Sequence, residues 1–367
     1  MKIVMFPGQG SQSKGMGAGL FEHFEDLTDQ ADRILGYSIR QLCLEDPGNQ
    51  LDQTQFTQPA LYVVNALSYF KKIEETGVTP DFVVGHSLGE FNALLAAGCF
   101  GFETGLKLVK KRGELMAQAT NGAMAAVLNA TRDEIVDILK SNGLNNVYLA
   151  NDNAPSQIVI SGLADEIAKA EPLFRKAKVR FYPLATSGAF HSAFMQDAME
   201  QFRVHLAGFE FAAPLIPVIA NVTARPYADD AILETLASQI TSTVRWTESV
   251  QYLLRLGASR GESVDFEQLG HGDVLTRLVL TIKAQTPQAL LDQPIEDVVP
   301  PPQPTGIDEK VTAWNKRFSV GTKVKSSIAD YADLETRTEA VVLFGHRAAV
   351  YMKGYNGYFD LDELTVG

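Results

Sequence analysis

The chain has 367 residues, 46% of them hydrophobic and 21% charged, which predicts two domains or one large domain with insertions. Its 32 basic and 44 acidic residues give a formal net charge of −12, which disfavours binding to nucleic acid or to an anionic membrane surface. No apolar stretch approaches the roughly 18–20 residues of a membrane span, and the first apolar run ends too early, at Pro7-Gly8, for a signal peptide. The two cysteines, Cys43 and Cys99, are too few for a disulfide framework or a cysteine zinc site. We therefore expect a soluble cytoplasmic protein and assign no residue to a metal.

The first 120 residues alternate runs that predict strands with runs that predict helices. Residues 3–6 predict a buried strand that ends at a glycine turn over residues 7–10. A helix is predicted from Thr57, with Pro59 in its first turn. A short strand over residues 82–84 and a helix over 91–97 follow. Strands that alternate with helices indicate a parallel α/β sheet.

Residues 121–187 follow a different order of predicted elements. Strands are expected over 124–128, 147–149, 157–160 and 179–182, with one helix opened by a capping box of Thr131 and Glu134 and a second from about Asp165. The order β-α-β-β-α-β is that of a ferredoxin-like unit. We therefore expect a ferredoxin-like insertion that interrupts a larger α/β domain, formed by residues 1–120 and 188–283.

The C-terminal part of the chain predicts a linker and a small tail. Residues 284–312 are rich in proline, above all at 300–304, which favours extended polyproline over regular helix or sheet. Residues 313–367 contain alternating apolar segments separated by glycines, at 320–324, 340–344, 349–352 and 358–361. We expect a small β-rich tail that either packs on the α/β domain or docks a partner protein.

A candidate nucleophile lies between the predicted strand at 82–84 and the helix at 91–97. Gly85-His86-Ser87-Leu88-Gly89 is a G-x-S-x-G sequence in the strand-turn-helix context that a nucleophile elbow requires. The two glycines permit a sharp turn that would hold the Ser87 hydroxyl above a helix N-terminus, where unpaired N–H groups can stabilise an oxyanion. The alternative is an ordinary turn between strand and helix.

A serine hydroxyl needs a general base, which one of the six histidines, at 23, 86, 191, 205, 271 and 346, would supply. His191 is our candidate because it follows a turn of small residues where the chain returns from the insertion to the sheet. His86 lies in the elbow itself and could line the pocket without being the base. No Asp or Glu stands out as the third member of a triad, so either a backbone carbonyl orients the histidine or the acid is not visible locally.

Two further segments are ambiguous by themselves. Gly8-Gln9-Gly10-Ser11-Gln12 matches neither the dinucleotide fingerprint nor a Walker loop, so it is either half of an oxyanion hole or a bare turn. Arg112 ends the basic run Lys110-Lys111-Arg112 on a predicted helix, a pattern typical of a solvated face. Local pattern alone assigns a role to neither segment.

Five motifs together resemble the malonyl-CoA:acyl carrier protein transacylases, in order and at family-like spacing over about residues 1–283. They are Gly8-Gln9-Gly10-Ser11-Gln12, Gly85-His86-Ser87-Leu88-Gly89-Glu90, Arg112-Gly113-Glu114-Leu115-Met116, Gly188-Ala189-Phe190-His191-Ser192 and Val244-Arg245-Trp246. The resemblance implies an α/β fold in which an α/β-hydrolase-like large subdomain carries the inserted ferredoxin-like small subdomain. The proline-rich linker and β-rich tail add a resemblance to the stand-alone, trans-acting acyltransferases of polyketide synthases.

The resemblance implies a catalytic role for five matching positions. Ser87 would be the acylated nucleophile and His191 its general base. The backbone N–H groups of Gln9 and Leu88 would form the oxyanion hole. Gln239, by its spacing before the Val244 motif, would orient His191 through its backbone carbonyl, which explains the missing acid.

Three substrate-binding residues are predicted, of which Arg112 and Phe190 are implied by the resemblance and His86 by its place in the elbow. Arg112 would hold the malonyl carboxylate, which a planar guanidinium binds bidentately. Phe190 would fill the space that an α-methyl group needs, a preference of about 1–3 kcal/mol, and His86 would line the pocket. The sequence departs from the family pattern at His271 and Thr243, where prolines are common, which affects loop geometry rather than the predicted chemistry.

These assignments predict a two-step acyl transfer. Ser87 would attack the thioester of malonyl-CoA, and the malonyl-serine ester would then pass to the phosphopantetheine thiol of an acyl carrier protein. No tightly bound cofactor is expected, since the phosphopantetheine is carried by the partner; a polyketide synthase would be a further partner. Because carrier proteins are generally acidic, a local basic patch is required, to which Lys107, Lys110 and Lys111 could contribute.

Two other functions compete with this prediction. An acyl hydrolase that removes acyl groups from carrier proteins would use the same Ser87 and His191, but uncharged acyl chains do not call for Arg112. A non-catalytic docking or scaffold protein would have its functional part in the tail, but it would not need an intact serine, histidine and arginine set.

Overall fold

Strands and helices alternate along most of the chain. The computed structural model describes residues 1–186, 188–228, 230–295, 306–327, 331, 334–343, 347–355 and 358–366. The strands are β1 (Lys2–Phe6), β2 (Phe82–Gly85), β3 (Gly122–Leu128), β4 (Val147–Ala154), β5 (Gln157–Leu163), β6 (Arg180–Pro183), β7 (Val218–Ile219), β8 (Asp265–Gln268), β9 (Val324–Ser326), β10 (Val341–Leu343), β11 (Arg347–Tyr351), β12 (Tyr358–Asp360) and β13 (Leu364–Val366).

The α-helices are α1 (Leu20–His23), α2 (Glu25–Leu35), α3 (Ile39–Glu45), α4 (Thr54–Thr76), α5 (Gly89–Ala96), α6 (Phe102–Ala117), α7 (Arg132–Ser141), α8 (Ala164–Lys176), α9 (Gln196–Leu206), α10 (Ile232–Gln239), α11 (Trp246–Arg260), α12 (Val274–Gln285), α13 (Gln288–Leu291) and α14 (Ile307–Arg317). Three short 3-10 helices lie at Pro47–Asp52, Ala193–Met195 and Leu361–Glu363. None of the helices in the described ranges combines the length and apolar character that a membrane crossing requires.

A parallel four-stranded sheet forms the large subdomain, as predicted. Its strand order is β7-β2-β1-β8, and helices pack on both faces around two buried apolar clusters. The register pairs Phe6, the last residue of β1, with Gly85, the last residue of β2. The loops that follow these two strands therefore emerge side by side at the carboxyl edge of the sheet.

Helix α4 begins one turn earlier than the sequence predicts. It starts at Thr54, so Pro59 lies in its second turn rather than its first. The Thr57 hydroxyl donates to the carbonyls of Leu51 (2.6 Å) and Gln53 (2.9 Å), which places this residue inside the helix. Burial of most of the helix surface compensates for the hydrogen bond that proline cannot make.

The small subdomain has the predicted ferredoxin-like order. The antiparallel sheet runs β4-β5-β3-β6, with α7 and α8 packed on it and the predicted Thr131–Glu134 capping box at the start of α7. Strand β4 is longer than predicted, since it pairs with β5 from Val147 to Ala154. Its second half also contacts the large subdomain, where the amide of Asp152 donates to the carbonyl of Val244 (2.9 Å). That contact brings the end of β4 to the carboxyl edge of the parallel sheet.

The linker and tail differ in detail from the prediction. Helix α13 lies inside the segment expected to contain no regular structure, and α14 crosses the predicted boundary between residues 312 and 313. The prolines at 300–304 lie outside the described residues. The predicted strand at 320–324 is observed only from Val324, as β9.

The tail contains two small antiparallel sheets, β10-β11-β12 and β13-β9, around an apolar cluster that includes Val350 and Met352. It also packs on the large subdomain, because Leu343 and Ala349 belong to that subdomain's main buried cluster. Arg337 forms an ion pair with Asp26 of α2 at 2.6 Å. The described tail residues therefore pack on the large subdomain.

Candidate functional site

Ser87 lies in a tight turn between β2 and α5. Its backbone is left-handed, with φ of 50°, an uncommon conformation for a residue with a side chain. The turn depends on its flanking glycines: a Cβ at Gly89 would lie 2.0 Å from the Phe6 carbonyl oxygen, and one at Gly85 would lie 1.9 Å from the Gly89 carbonyl carbon. The predicted elbow geometry is present, with the serine hydroxyl directed into the site.

His191 is the histidine that the fold brings to Ser87. Its Nε2 lies 2.9 Å from Ser87 Oγ, and its Nδ1 lies 3.0 Å from the Gln239 carbonyl oxygen and 3.1 Å from that of Ser242. Burial and the nearby Arg112 guanidinium lower the pKa of His191 to about 3. The imidazole is therefore neutral at physiological pH, with Nδ1–H donating to backbone carbonyls and Nε2 free to accept a proton.

Among the described residues, no other histidine hydrogen-bonds to Ser87 or His191. His86 lies in the elbow beside Trp246, and its Nε2 is 2.7 Å from Asn153 Oδ1. Burial lowers the pKa of His86, so it is a neutral wall of the pocket. His23 pairs with Glu74 at the surface, and His346 lies outside the described residues.

Gln9 and Leu88 line the inner pocket together with Ser87. The Gly8 loop lies against the elbow so closely that a Cβ at Gly8 would lie 2.3 Å from the His86 carbonyl oxygen. Within the ranges that the structure describes, the amides of Gln9 and Leu88 have no protein acceptor. Together with the N-terminus of α5, they form a site suited to an oxyanion.

Arg112 reaches the site from helix α6 and is only 1% exposed. Its Nη1 donates to Gln58 Oε1 (2.6 Å), and its Nη2 donates to Gln239 Oε1 (2.9 Å) and Ser87 Oγ (3.2 Å). Burial lowers the pKa of Arg112 to about 10, which still leaves it cationic at neutral pH. The solvated face that the basic run suggests is therefore wrong for Arg112.

A pocket leads from the surface to Ser87. Its inner part is lined by Phe190, His86, Met116 and Met124 beside Ser87 and His191. An outer pocket of about 510 Å³ shares Gln9, Leu184 and Phe190 with it and opens between the two subdomains. A long, thin substituent can thus enter while its carrier stays outside.

Several residues of the site were not found from the sequence. Asn221 braces the elbow, since its Oδ1 accepts from the Ser87 amide (2.7 Å) and its Nδ2 donates to the Gly85 carbonyl (2.6 Å). It follows β7, so a topology argument at the carboxyl edge of the sheet could have found it. No local sequence pattern marks Gln58 or Ser242 as a site residue. Glu90 belongs to the motif that begins at Gly85, but that motif by itself predicts no role for it.

Two of the predicted basic-patch residues are engaged by their own chain. Lys107 pairs with Glu103 at 2.6 Å, and Lys110 donates to the Ile34 carbonyl at 2.9 Å.

The two residues that depart from the family pattern, His271 and Thr243, each make a hydrogen bond to another segment of the chain. His271 Nε2 lies 2.6 Å from Ser13 Oγ, and Thr243 donates to the Leu149 carbonyl at 2.6 Å.

Comparisons with known proteins agree with this geometry. A family model described as "Acyl transferase domain" matches residues 3–291. The polyketide biosynthesis malonyl CoA-acyl carrier protein transacylase PksC of Bacillus subtilis is 56% identical over 285 residues, which cover 77% of this chain and 97% of that protein. The crystal structure of malonyl CoA-acyl carrier protein transacylase from Burkholderia pseudomallei matches with a TM-score of 0.77 and 63% identity, over 78% of this chain and 99% of that one. A malonyl-transacylase solved in complex with a type II polyketide synthase acyl-carrier protein matches with a TM-score of 0.71 and 33% identity, over 77% and 92% of the two chains.

Proposed function

We propose that this chain, which belongs to the acyl transferase family and within it to the malonyl CoA-acyl carrier protein transacylases, moves malonyl groups from malonyl-CoA to an acyl carrier protein in polyketide synthesis. One observation carries the proposal: Ser87 Oγ lies 2.9 Å from the neutral base His191 and 3.2 Å from the buried cation Arg112. A nucleophile, its base and a carboxylate clamp therefore meet at one atom, which suits a substrate whose thioester and carboxylate are separated by a single methylene.

The first half-reaction forms a malonyl-serine ester. His191 Nε2 takes the proton from Ser87 Oγ as the oxygen attacks the thioester carbonyl, and the resulting oxyanion accepts from the amides of Gln9 and Leu88. When the tetrahedral intermediate collapses, the C–S bond breaks and the CoA sulfur leaves with the proton from His191. The carbonyls of Gln239 and Ser242 stabilise the imidazolium that exists between these two proton transfers.

The second half-reaction reverses these roles with a new thiol. The phosphopantetheine thiol gives its proton to His191 and attacks the ester carbonyl, and Ser87 Oγ leaves with that proton. The outer pocket suits a phosphopantetheine arm because it is open at the surface and reaches Gln9 and Phe190 next to the nucleophile. The relative solved with an acyl-carrier protein supports the choice of partner.

Arg112 and Phe190 would set the acyl selectivity. The malonyl carboxylate would accept from the guanidinium, whose present acceptors Gln58 and Gln239 are neutral. The buried Phe190 ring borders the inner pocket, where it would disfavour an α-methyl group. A hydrolase is less well supported, since an uncharged acyl chain would leave the buried Arg112 without an anionic partner.

Intact-protein mass spectrometry tests the proposal. We expect malonyl-CoA to leave a malonyl adduct on the wild type and none on Ser87→Ala, and a holo acyl carrier protein to remove the adduct faster than water does. Ser259→Ala is the matched control, because Ser259 lies near the end of α11, donates to the Leu256 carbonyl and lines neither pocket; it should load like the wild type. An adduct on Ser87→Ala would contradict the proposed nucleophile, and an adduct lost only to water would indicate a hydrolase.

A further inference from the structure

We infer that Glu90 is a positioning residue, whose buried carboxylate fixes the orientation of the Gln239 side-chain amide and thereby the geometry of the nucleophile and the carboxylate clamp. Glu90 is fully buried, three residues after Ser87, near the start of α5. It contacts neither the pocket nor the reacting atoms, so its effect must pass through its neighbours. The inference rests on the proposed roles of Ser87, His191 and Arg112.

Gln239 is the residue that joins the parts of the site. Its side-chain Nε2 donates to the Ser87 carbonyl (2.9 Å), and its Oε1 accepts from Arg112 Nη2 (2.9 Å). Its backbone carbonyl accepts from His191 Nδ1 (3.0 Å). A change in its position would therefore reach the nucleophile, the clamp and the base together.

Glu90 determines the orientation of the Gln239 side-chain amide. Its Oε2 accepts from Gln239 Nε2, whose second hydrogen goes to the Ser87 carbonyl. In the opposite orientation, Oε1 would face two acceptors and the NH₂ group would face the Arg112 cation, so three favourable contacts would become repulsive. The carboxylate, the amide dipole and the guanidinium thus form a chain of alternating charge.

The other carboxylate oxygen of Glu90 holds the opposite side of the elbow. Oε1 accepts from the Asn221 amide (3.2 Å) and from the Tyr227 hydroxyl. The Asn221 side chain then spans the turn from the Gly85 carbonyl to the Ser87 amide. Both residues that brace the strained Ser87 backbone are therefore attached to one carboxylate.

Glu90 also brings a negative charge to this site. In the described part of the chain, no other Asp or Glu hydrogen-bonds to Ser87, His191, Gln239 or Arg112. Burial raises the pKa of Glu90 to about 7, against the opposing effect of its donors and of Arg112. At pH 8 the carboxylate is ionised, which makes that pH suitable for the test.

A double-mutant cycle between Glu90→Gln and Gln239→Ala tests whether Glu90 acts through Gln239. Glutamine has one acceptor oxygen where glutamate has two, so E90Q removes hydrogen bonds of the carboxylate while the side-chain volume stays nearly the same. Gln239→Ala keeps the backbone carbonyl that accepts from His191. We expect E90Q to slow malonyl loading of Ser87 at pH 8 about tenfold or more, and malonyl loading more than acetyl loading. In the Gln239→Ala background, E90Q should cost less than about twofold more, because its target is already absent.

Tyr227→Phe is the matched control, because it removes another hydrogen bond to the same carboxylate but leaves the Gln239 contact. It should lower the unfolding midpoint without slowing loading. If E90Q loads like the wild type, if its loss multiplies with that of Gln239→Ala, or if Y227F slows loading as E90Q does, the inference is overturned. Should E90Q fail to fold, Glu90→Asp replaces it, with the same expectations, since its shorter side chain withdraws the carboxylate from Gln239.

Ser87→Ala, measured alongside, distinguishes failure of the proposed function from failure of the role of Glu90. Loading of Ser87→Ala would refute the proposed function itself. No loading of Ser87→Ala together with normal loading of E90Q would refute only the role of Glu90.

Discussion

Arg112 is a buried cation whose polar partners are all neutral. Its guanidinium donates to two glutamine side chains and to the serine hydroxyl, and it lies 5.7 Å from the centre of the Phe91 ring. The desolvation that lowers its pKa is a cost that an anionic ligand would reduce. The site is therefore electrostatically prepared for a substrate with a carboxylate.

Replacing Arg112 with alanine should separate malonyl from acetyl substrates. We expect kcat/KM for malonyl loading to fall by about ten- to a hundredfold, the value of a hydrogen bond to a charged group, and that for acetyl loading to fall much less. Arg112→Lys should be intermediate, because one ammonium cannot replace the fork that contacts Gln58 and Gln239 together. Both are measured by acylation of Ser87 with the two CoA esters, and equal losses would remove the assigned role.

The position of Arg112 along its helix predicts its burial better than the charge pattern does. Arg112 shares a helix face with Leu108, Val109, Leu115 and Met116, so helical spacing alone could have placed it on the buried side of α6. The second carbonyl on His191, from Ser242, could not be found in this way. It depends on how the chain after α10 folds back, which is a tertiary feature without a local pattern.

At the scale of elements, the elbow is held by close backbone contacts. Strand β2, its turn and helix α5 can close on β1 only because Gly89 lets the Phe6 carbonyl approach. A methyl group there would push α5, and with it the Leu88 amide, away from the Gly8 loop. The proposed oxyanion site thus depends on the absence of a side chain at residue 89.

Gly89→Ala should therefore lose both stability and activity. We expect the free energy of unfolding to fall by about 3 kcal/mol, as for overpacking of a tight core, and Ser87 loading to be abolished in the folded fraction. Thermal unfolding and mass spectrometry measure the two effects. Gly101→Ala is the control, since among the described residues its added Cβ would meet only the Tyr358 hydroxyl at 3.8 Å; a similar loss in both variants would contradict the steric argument.

The elements of the small subdomain were predictable because strand alternation and the capping box are local signals. Strand β4 was predicted too short, since Asn151, Asp152 and Asn153 are polar and yet buried against the large subdomain. Pro59 misplaced the start of α4 because a proline at N1 is a common pattern, whereas here packing tolerates it inside the helix. Both errors arise where tertiary contacts override a local preference.

At the scale of the whole molecule, the tail lies beyond the residues that the family model matches, and it covers part of the large subdomain. The family model ends at residue 291, whereas Leu343 and Ala349 lie in the main buried cluster. Tyr351 and Tyr358 pack against the same cluster, and Arg337 stacks on Tyr351 while it pairs with Asp26. Composition predicted a small β-rich unit, but nothing in the sequence indicated the surface on which it packs.

Removing the tail should expose this apolar surface without touching the proposed catalytic residues. Because α14 runs from Ile307 to Arg317, the truncation must end before residue 307 rather than at 312, so that no half-helix remains. We expect the truncated chain to unfold at a lower temperature and to aggregate more readily, while its soluble fraction still loads malonyl on Ser87. Arg337→Ala in the full chain should shift the unfolding temperature much less, since a partly exposed ion pair contributes about 0–1 kcal/mol. A truncated protein as stable and soluble as the full chain would contradict the packing role and favour a tail that docks a partner.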